Sequence, residues 1–435
     1  LRFLFATFEG GGHVPPALCV ARALRERGHE VLVVSDAANR DAVLAAGLAF
    51  EAWSSAPNRQ AMGGADDPLQ DWRPRLPPAI VRAVCVGVIT GPSMGYATDT
   101  AAILRRFAAD VVVSNELLFG VIVAAESMGV PIALLTANVW CYPTRQDAPP
   151  FGPGLSPPVT AFGRWGQGAA RRMIGRWYDA GLADLNRTRR AFGLAPLTRC
   201  LDQLDACDRI LLGVSAAFDY GAGTPPAPFA YVGPLGQTPG WAVGTGAGAE
   251  LIALDRPNVL VSFSTTHQDQ TVTLGRTITA LSALPVRAIV TLGPAFAKAA
   301  LPSARNVTIV ARADHDVLAP RCDLVVCHGG HGTMLRPLLH GKPVICIPTG
   351  RDQPDNAQRI VVAGAGLRLP RRAGVGRIRR AIDTVLGDRR YTDAAQRLAL
   401  ALSRDNVGAG KAVALLEDLA FSQAAASGPR TARRA

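Results

Sequence analysis

Residues 327–356 read C-H-G-G-H-G-T-M-L-R-P-L-L-H-G-K-P-V-I-C-I-P-T-G-R-D-Q-P-D-N, a run that few folds can accommodate. An apolar segment, 323–327, predicts a strand entering a glycine-rich corner, His328-Gly329-Gly330-His331-Gly332-Thr333, with a helix over 334–340 directly after it. Glycines at a strand-to-helix corner let the backbone approach a ligand closely, and the free N–H groups of a helix start attract anions. His328 and Thr333 add side-chain donors there. After Gly341-Lys342-Pro343 a second strand, 344–348, ends in a loop carrying Asp352 and Gln353. Those two side chains accept and donate hydrogen bonds, as recognition of a polyhydroxylated group requires. The order along the chain is phosphate first, polyol second.

The same strand–corner–helix pattern starts at the first residue. A strand over 1–7, a helix over 14–27 stopped by Gly28 and a strand over 29–35 form the β-loop-α-β unit of a parallel sheet. Residues 1–6 read as that strand rather than as a signal peptide, because Glu9 and glycines interrupt the apolar stretch. The first corner, Glu9-Gly10-Gly11-Gly12-His13-Val14-Pro15-Pro16, lacks the G-x-G-x-x-G of dinucleotide sites. Instead His13 stands at the helix start, on the carboxyl side of the strand, where an imidazole of ordinary pKa about 6.5 is suited to general base work. The residue that orients it belongs on a neighbouring strand end, and the strand over 110–114 is followed by Asn115 and Glu116. Further strands are expected at 130–136, 209–213 and 230–232.

A Gly/Pro/Thr/Ala-rich stretch, 233–248, interrupts the series, and a second one begins with strands at 258–264, 286–292 and 307–311. Helices are expected at 357–363, 376–386, 392–403 and 410–421. The chain of 435 residues exceeds the length, about 250–300 residues, that one core usually organises. The fold class is therefore α/β: two Rossmann-like domains whose parallel sheets face a central cleft, with ligands beyond the carboxyl ends of the strands. The expected divisions are 1–232, a linker at 233–250, a second domain at 251–403, a helix at 404–421 returning to the first domain, and a disordered basic tail at 422–435.

Charge and cysteines restrict the partners. The net charge of +12 is almost all arginine, which favours anionic ligands, but no nucleic-acid motif accompanies it. Eight cysteines without a C-x-x-C pair suit free thiols in a reducing cytoplasm and argue against zinc. No continuous apolar run reaches the roughly 20 residues of a membrane span, so stable membrane insertion is not expected. Asp314-His315-Asp316 has the spacing of metal-binding D-x-D motifs, but carboxylates are favoured at a helix start anyway. Asp36 stands where NAD enzymes place a ribose-binding acid, without the glycine motif that would precede it.

G-G-G-H-V-P-P near the start, V-S-F-S-T-T at 261–266, H-G-G-H-G-T at 328–333 and D-Q-P-D-N-A-Q-R at 352–359 occur in this order. Together they resemble the family 1 nucleotide-sugar-dependent glycosyltransferases of GT-B architecture, especially bacterial enzymes that decorate natural products. The resemblance covers nearly the whole chain. It implies that His13 removes the proton from an acceptor hydroxyl. His328, Gly330, Gly332 and Thr333 would hold the donor diphosphate, Thr265 with Thr266 beside it would add hydroxyls, and Asp352 and Gln353 would bind the sugar. The implied reaction inverts the anomeric centre by direct displacement, with a nucleotide diphosphate sugar as co-substrate and no metal or cofactor.

Two departures stand out. Many members pair the histidine with an Asp where this chain has Asn115, so either Glu116 takes over or an acidic acceptor such as a phenol needs less help. Where the family often has a Trp and a Pro-Gln, this chain reads Ala311-Arg312-Ala313-Asp314. Arg312 or its backbone then faces the nucleobase, and the choice between UDP and TDP stays open. The proline- and aromatic-rich loops at 52–78 and 138–158, with Trp72, Trp140 and Tyr142, are expected to form the pocket for a hydrophobic small-molecule acceptor. The rival readings are a lipid-acceptor transferase at a membrane surface, a non-catalytic nucleotide-sugar-binding helper and an NAD-dependent oxidoreductase.

Overall fold

Strands buried on both faces read as nearly continuous apolar runs, and the central strands of both sheets are of this kind. The computed structural model describes residues 1–10, 12–61, 76–220, 223–236, 248–263, 270–292, 301–405 and 408–427. The first sheet holds β1 (Arg2–Ala6), β2 (Glu30–Ser35), β3 (Ala49–Ala52), β4 (Val111–Ser114), β5 (Ile132–Thr136), β6 (Arg209–Leu212) and β7 (Phe229–Tyr231). The second holds β8 (Asn258–Ser262), β9 (Arg287–Thr291), β10 (Val307–Val310), β11 (Leu324–Cys327), β12 (Val344–Cys346) and β13 (Gly366–Arg368). Their orders are β3-β2-β1-β4-β5-β6-β7 and β10-β9-β8-β11-β12-β13, with the named strands paired in parallel.

Alternation along β1 divides the core between two layers. Phe3 and Phe5 pack with Val14, Leu18 and Leu24 of the helix Val14–Glu26, while Leu4 and Ala6 join Val121, Ile122 and Ala125 of the helix Phe119–Met128 on the other face. Each such side chain contributes about 1.5–3 kcal/mol by leaving water. The last helix, Gly410–Ser427, returns to the first sheet: Val413 and Leu416 belong to the cluster of Phe3 and Phe5, and Glu417 meets His29 at 2.8 Å. Its helical backbone continues past residue 421, where the tail was expected to begin, because Gln and Ala favour helix. Residues 237–247 of the expected linker lie outside the described residues.

The two halves touch directly. Asn138 donates from Nδ2 to Asp352 Oδ2 at 3.1 Å, Gly152 N donates to Asp355 Oδ2 at 2.9 Å, and Ser215 Oγ donates to Asp405 Oδ2 at 2.5 Å. At the centre of this contact Asp219 accepts from Arg145 Nη1 (2.7 Å) and Tyr231 Oη (2.7 Å) of its own half and from Arg359 Nε (2.9 Å) of the other. The Arg359 guanidinium also lies 4.3 Å from the centre of the Tyr220 ring.

Candidate functional site

Each sheet reverses its strand order beside its first strand, between β1 and β4 in one and between β8 and β11 in the other. Ligand crevices of doubly wound sheets open at such points, outside the carboxyl ends of the strands. In the first sheet Ala6 lies opposite Ser114, so the residues that follow β1 and β4 run side by side, and Asn115 N donates to Ala6 O at 3.1 Å. His13 immediately precedes its helix, with prolines in the first turn, where a missing N–H costs nothing. Asp36, at the end of β2, accepts from Glu9 N at 2.5 Å and Arg59 N at 2.6 Å, so its buried carboxylate holds the glycine corner in place.

The imidazole of His13 is 19% exposed and stacks on Phe8 with ring centres 5.8 Å apart. Its Nδ1 lies 3.1 Å from Asn115 Nδ2. Asn115 is held in this orientation because its Oδ1 accepts from Leu117 N at 2.9 Å. With an amide N–H donating, Nδ1 acts as acceptor and the ring proton sits on Nε2. Glu116, 2% exposed, places Oε1 at 3.9 Å from the same Nδ1; Thr136 donates to that oxygen at 3.3 Å, and among the described residues Oε2 has no hydrogen-bond partner. Burial lowers the His13 pKa to about 4, with nearby Asp352 opposing the shift and Arg351 reinforcing it. Burial also raises the Glu116 carboxyl to about 7. A neutral imidazole thus stands beside an acid that ionises near neutrality.

The second corner follows β11. His328 is buried, and a Cβ on Gly330 would lie 2.2 Å from its Nε2, so only glycine lets the ring occupy this place. Burial holds its pKa at about 4. Gly329 turns with φ +93°, a conformation that suits glycine. The helix starts earlier than expected: it runs His331–Leu339, which puts Gly332 and Thr333 in its first turn. Among the described residues, a Cβ added to Gly332 would meet nothing within 4 Å.

Asp352 precedes the helix Gln353–Val362, which likewise begins earlier than the expected 357, with Pro354 in its first turn. Asp352 Oδ2 accepts from Asn356 Nδ2 at 2.7 Å as well as from Asn138, and Asn356 Nδ2 also reaches Gly329 O at 3.0 Å. Asn356 therefore ties the acid to the second glycine corner. Burial raises the Asp352 pKa, partly offset by a backbone N–H donor, by proximity to His13 and by the Asn356 amide. Gln353 is buried, and its Oε1 accepts from Thr349 N (2.7 Å) and Thr349 Oγ1 (2.9 Å), so its carbonyl oxygen supports its own loop.

Other expected residues land elsewhere. Tyr142 and Trp140 are buried: Tyr142 donates to Glu116 O at 2.9 Å, and Trp140 donates to Thr144 Oγ1 at 2.7 Å. With Arg145, Phe151 and Arg359 they border a void of only about 10 Å³, so they pack beneath the site instead of walling an open pocket. Arg312 is exposed between β10 and the short helix His315–Leu318. Asp314 caps that helix by accepting from Asp316 N at 2.8 Å, and Asp316 pairs with Arg336 at 3.0 Å. The D-x-D spacing is thus taken up by helix capping and an ion pair. Trp72, Thr265 and Thr266 lie outside the described residues. Sequence reading missed Asn138, Asn356 and Asp219; only Asn356 left a signal, its four-residue spacing from Asp352 on one helix.

Comparison with known proteins supplies the context. Residues 257–408 match the family model "Erythromycin biosynthesis protein CIII-like, C-terminal domain". The chain is 30% identical to 4'-demethylrebeccamycin synthase of Lentzea aerocolonigenes, over 96% of this chain and 98% of that protein. Among solved structures it superposes on the glycosyltransferase of kitacinnamycin with a TM-score of 0.72 at 20% identity, covering 96% and 98% of the two chains. A spinosyn rhamnosyltransferase complexed with thymidine diphosphate gives a TM-score of 0.68 at 19% identity, covering 96% and 100%.

Proposed function

Because the chain belongs to the natural-product glycosyltransferases of GT-B fold, we infer that it transfers a sugar from a pyrimidine nucleoside diphosphate to a hydroxyl of a hydrophobic small molecule, with inversion and without a metal. The observation that carries this reading is the meeting of the two corners: Asp352 from the second half lies close enough to act electrostatically on His13 of the first, and Asn138 of the first half donates to Asp352 at 3.1 Å. Neither half contains both groups. In this reading the diphosphate lies against the start of the His331 helix, where the backbone N–H groups of Gly332 and Thr333 and the His328 ring stabilise the charge that develops on departure. The resemblance assigns further hydroxyls of this cradle to Thr265 and Thr266 and the side facing the base to Arg312 or its backbone, and Asp352 with Gln353 orients the sugar. Closure of the halves aligns the acceptor oxygen with the anomeric carbon and keeps out the water that would hydrolyse the donor.

His13 takes the acceptor proton on Nε2. Nε2 has a lone pair for this only in the tautomer that carries the ring hydrogen on Nδ1, the opposite of the one the Asn115 N–H favours, and Asn115 cannot accept the Nδ1 hydrogen in its present orientation. Glu116 is the carboxylate within reach, at 3.9 Å. The pH dependence follows from the sign of its shift. Below about pH 7 Glu116 is protonated and cannot receive the Nδ1 hydrogen, so kcat rises as pH increases through that value. Glu116→Gln is expected to remove this rise and lower kcat by about tenfold or more. Asn115→Asp, which puts a carboxylate where 3.1 Å now separates Nδ2 from Nδ1, is expected to keep or increase activity. A pH-rate profile of both variants decides the matter; an unchanged Glu116→Gln profile removes the acid from the mechanism.

The reading as a whole is tested by thermal shift with UDP, TDP and NADH, followed by transfer from the corresponding nucleotide sugars to a phenolic acceptor. Stabilisation by a nucleoside diphosphate but not by NADH, with glycoside formed, is the expected result. Stabilisation without transfer or donor hydrolysis points to the helper role instead.

A further inference from the structure

The helix Ala161–Tyr178 buries Ile174 and Tyr178 against the core. The positions opposite them, at three- and four-residue spacing, are Phe162, Trp165, Arg172, Met173 and Arg176. An ordinary solvated helix places charged groups there; this one exposes Phe162 at 79% and Trp165 at 65%, stacked with ring centres 5.8 Å apart. Val159, just before the helix, is 91% exposed. The helix Pro77–Val84 packs beside it, buries none of its own residues and brings Leu76 at 69% exposure. Between them these two helices expose Arg82, Arg164, Arg172 and Arg176 and carry no Asp or Glu, with Arg172 and Arg176 on the side of Phe162 and Trp165; Arg171 turns inward and donates to Ala148 O at 2.6 Å.

We propose that this aromatic and arginine-bearing face docks peripherally on an anionic lipid bilayer surface. Three features select that occupant. Exposed Phe and Trp favour the boundary between headgroups and acyl chains, where an amphipathic helix lies in the plane of the membrane. Arginines without intervening carboxylates are complementary to anionic headgroups, each strengthening binding by about fivefold. A second copy of this chain would set these exposed arginines against their own counterparts, which like-charge repulsion opposes. Docking is superficial. The apolar helical run Pro77–Phe107 is long enough to cross a membrane by length and composition, but Tyr96, Ala97, Ile103 and Leu104 in its later part are buried in the core.

The proposal does not depend on the reading of the cleft, because its test involves no catalysis. The full chain is sedimented with phosphatidylcholine vesicles, with and without phosphatidylglycerol. Binding about tenfold or more stronger to the mixed vesicles, weakening with salt, is expected. The double variant Phe162→Ser/Trp165→Ser is expected to bind about tenfold more weakly. Arg172→Glu/Arg176→Glu is expected to lose the preference for phosphatidylglycerol. All four positions are on the outer face, so circular dichroism and nucleoside diphosphate affinity should match the parent chain. Failure of the parent to co-sediment, or equal binding by both variants, overturns the proposal. So does a dimer in sedimentation velocity that either variant dissociates, since it would assign the face to a second copy.

Discussion

In the His13→Ala variant, kcat for sugar transfer is expected to fall by about a hundredfold to ten-thousandfold, the range general base catalysis supplies. Affinity for the nucleoside diphosphate should stay within about twofold, because loss of a group used in the transition state lowers kcat without weakening ground-state binding. The separation follows from the layout: His13 belongs to the corner after β1, whereas the expected diphosphate cradle follows β11. Burial keeps the imidazole neutral down to about pH 4, so the base is available across the neutral range and needs no further deprotonation. Folding should be little affected, since the ring is held by Phe8 and Asn115 at a corner already fixed by Asp36. Single-turnover transfer and calorimetric titration of TDP check the two halves of the prediction. Full activity in the variant would falsify the role of His13 as base.

The second large effect concerns stability. Asp219→Ala leaves the Arg145 and Arg359 guanidiniums buried without the carboxylate between them, and breaking a buried pair in this way costs about 3–5 kcal/mol. Burial alone would push the Asp219 carboxyl up, but Arg359, Arg145 and the Tyr231 hydroxyl more than reverse this, and its pKa lies below the ordinary value. With a depressed folded-state pKa, this stabilisation is fully present above the unfolded value near 4 and is lost as pH falls through the folded one. Because Arg359 lies on the helix that begins at Gln353, the same variant should weaken donor use by loosening Asp352 from Asn138. Urea unfolding at neutral pH, combined with the Asp219→Ala/Arg359→Ala cycle, measures the coupling. A loss below about 1 kcal/mol, the range of an exposed ion pair, would mean that the hub does not hold the halves together.

The alternation of strands and helices was legible because the central strands of both sheets are buried on both faces, which forces apolar runs such as Phe3-Leu4-Phe5-Ala6 before glycine corners. The edge strand β3 and the short β13 carried no strand expectation, since partly exposed three- and four-residue segments lack a continuous apolar signature. Helix starts were placed late at His331 and Gln353. Gly332 and Pro354 read locally as breakers, yet each stands in a first turn, where proline is at home. Trp140 and Tyr142 misled in the other direction: aromatic residues in a proline-rich loop look like pocket walls, but their hydroxyl and indole N–H find partners in the interior.

What sequence alone determined was the inventory at the two corners: a histidine beside an amide and an acid in one, and a histidine, glycines and an acid-amide pair in the other. Those follow from local order along the chain. Tertiary structure decided how the inventory is wired. Asn115 turns its N–H toward His13 because Leu117 N occupies its oxygen, and the buried Glu116 places Oε1 at 3.9 Å from the same ring nitrogen. The second half reaches the first through the Asn138–Asp352 hydrogen bond, and the halves are joined at Asp219 by Arg359, 140 positions away. Hydrogen bonds and charge interactions depend on distance, direction and burial, and none of these is a function of position along the chain.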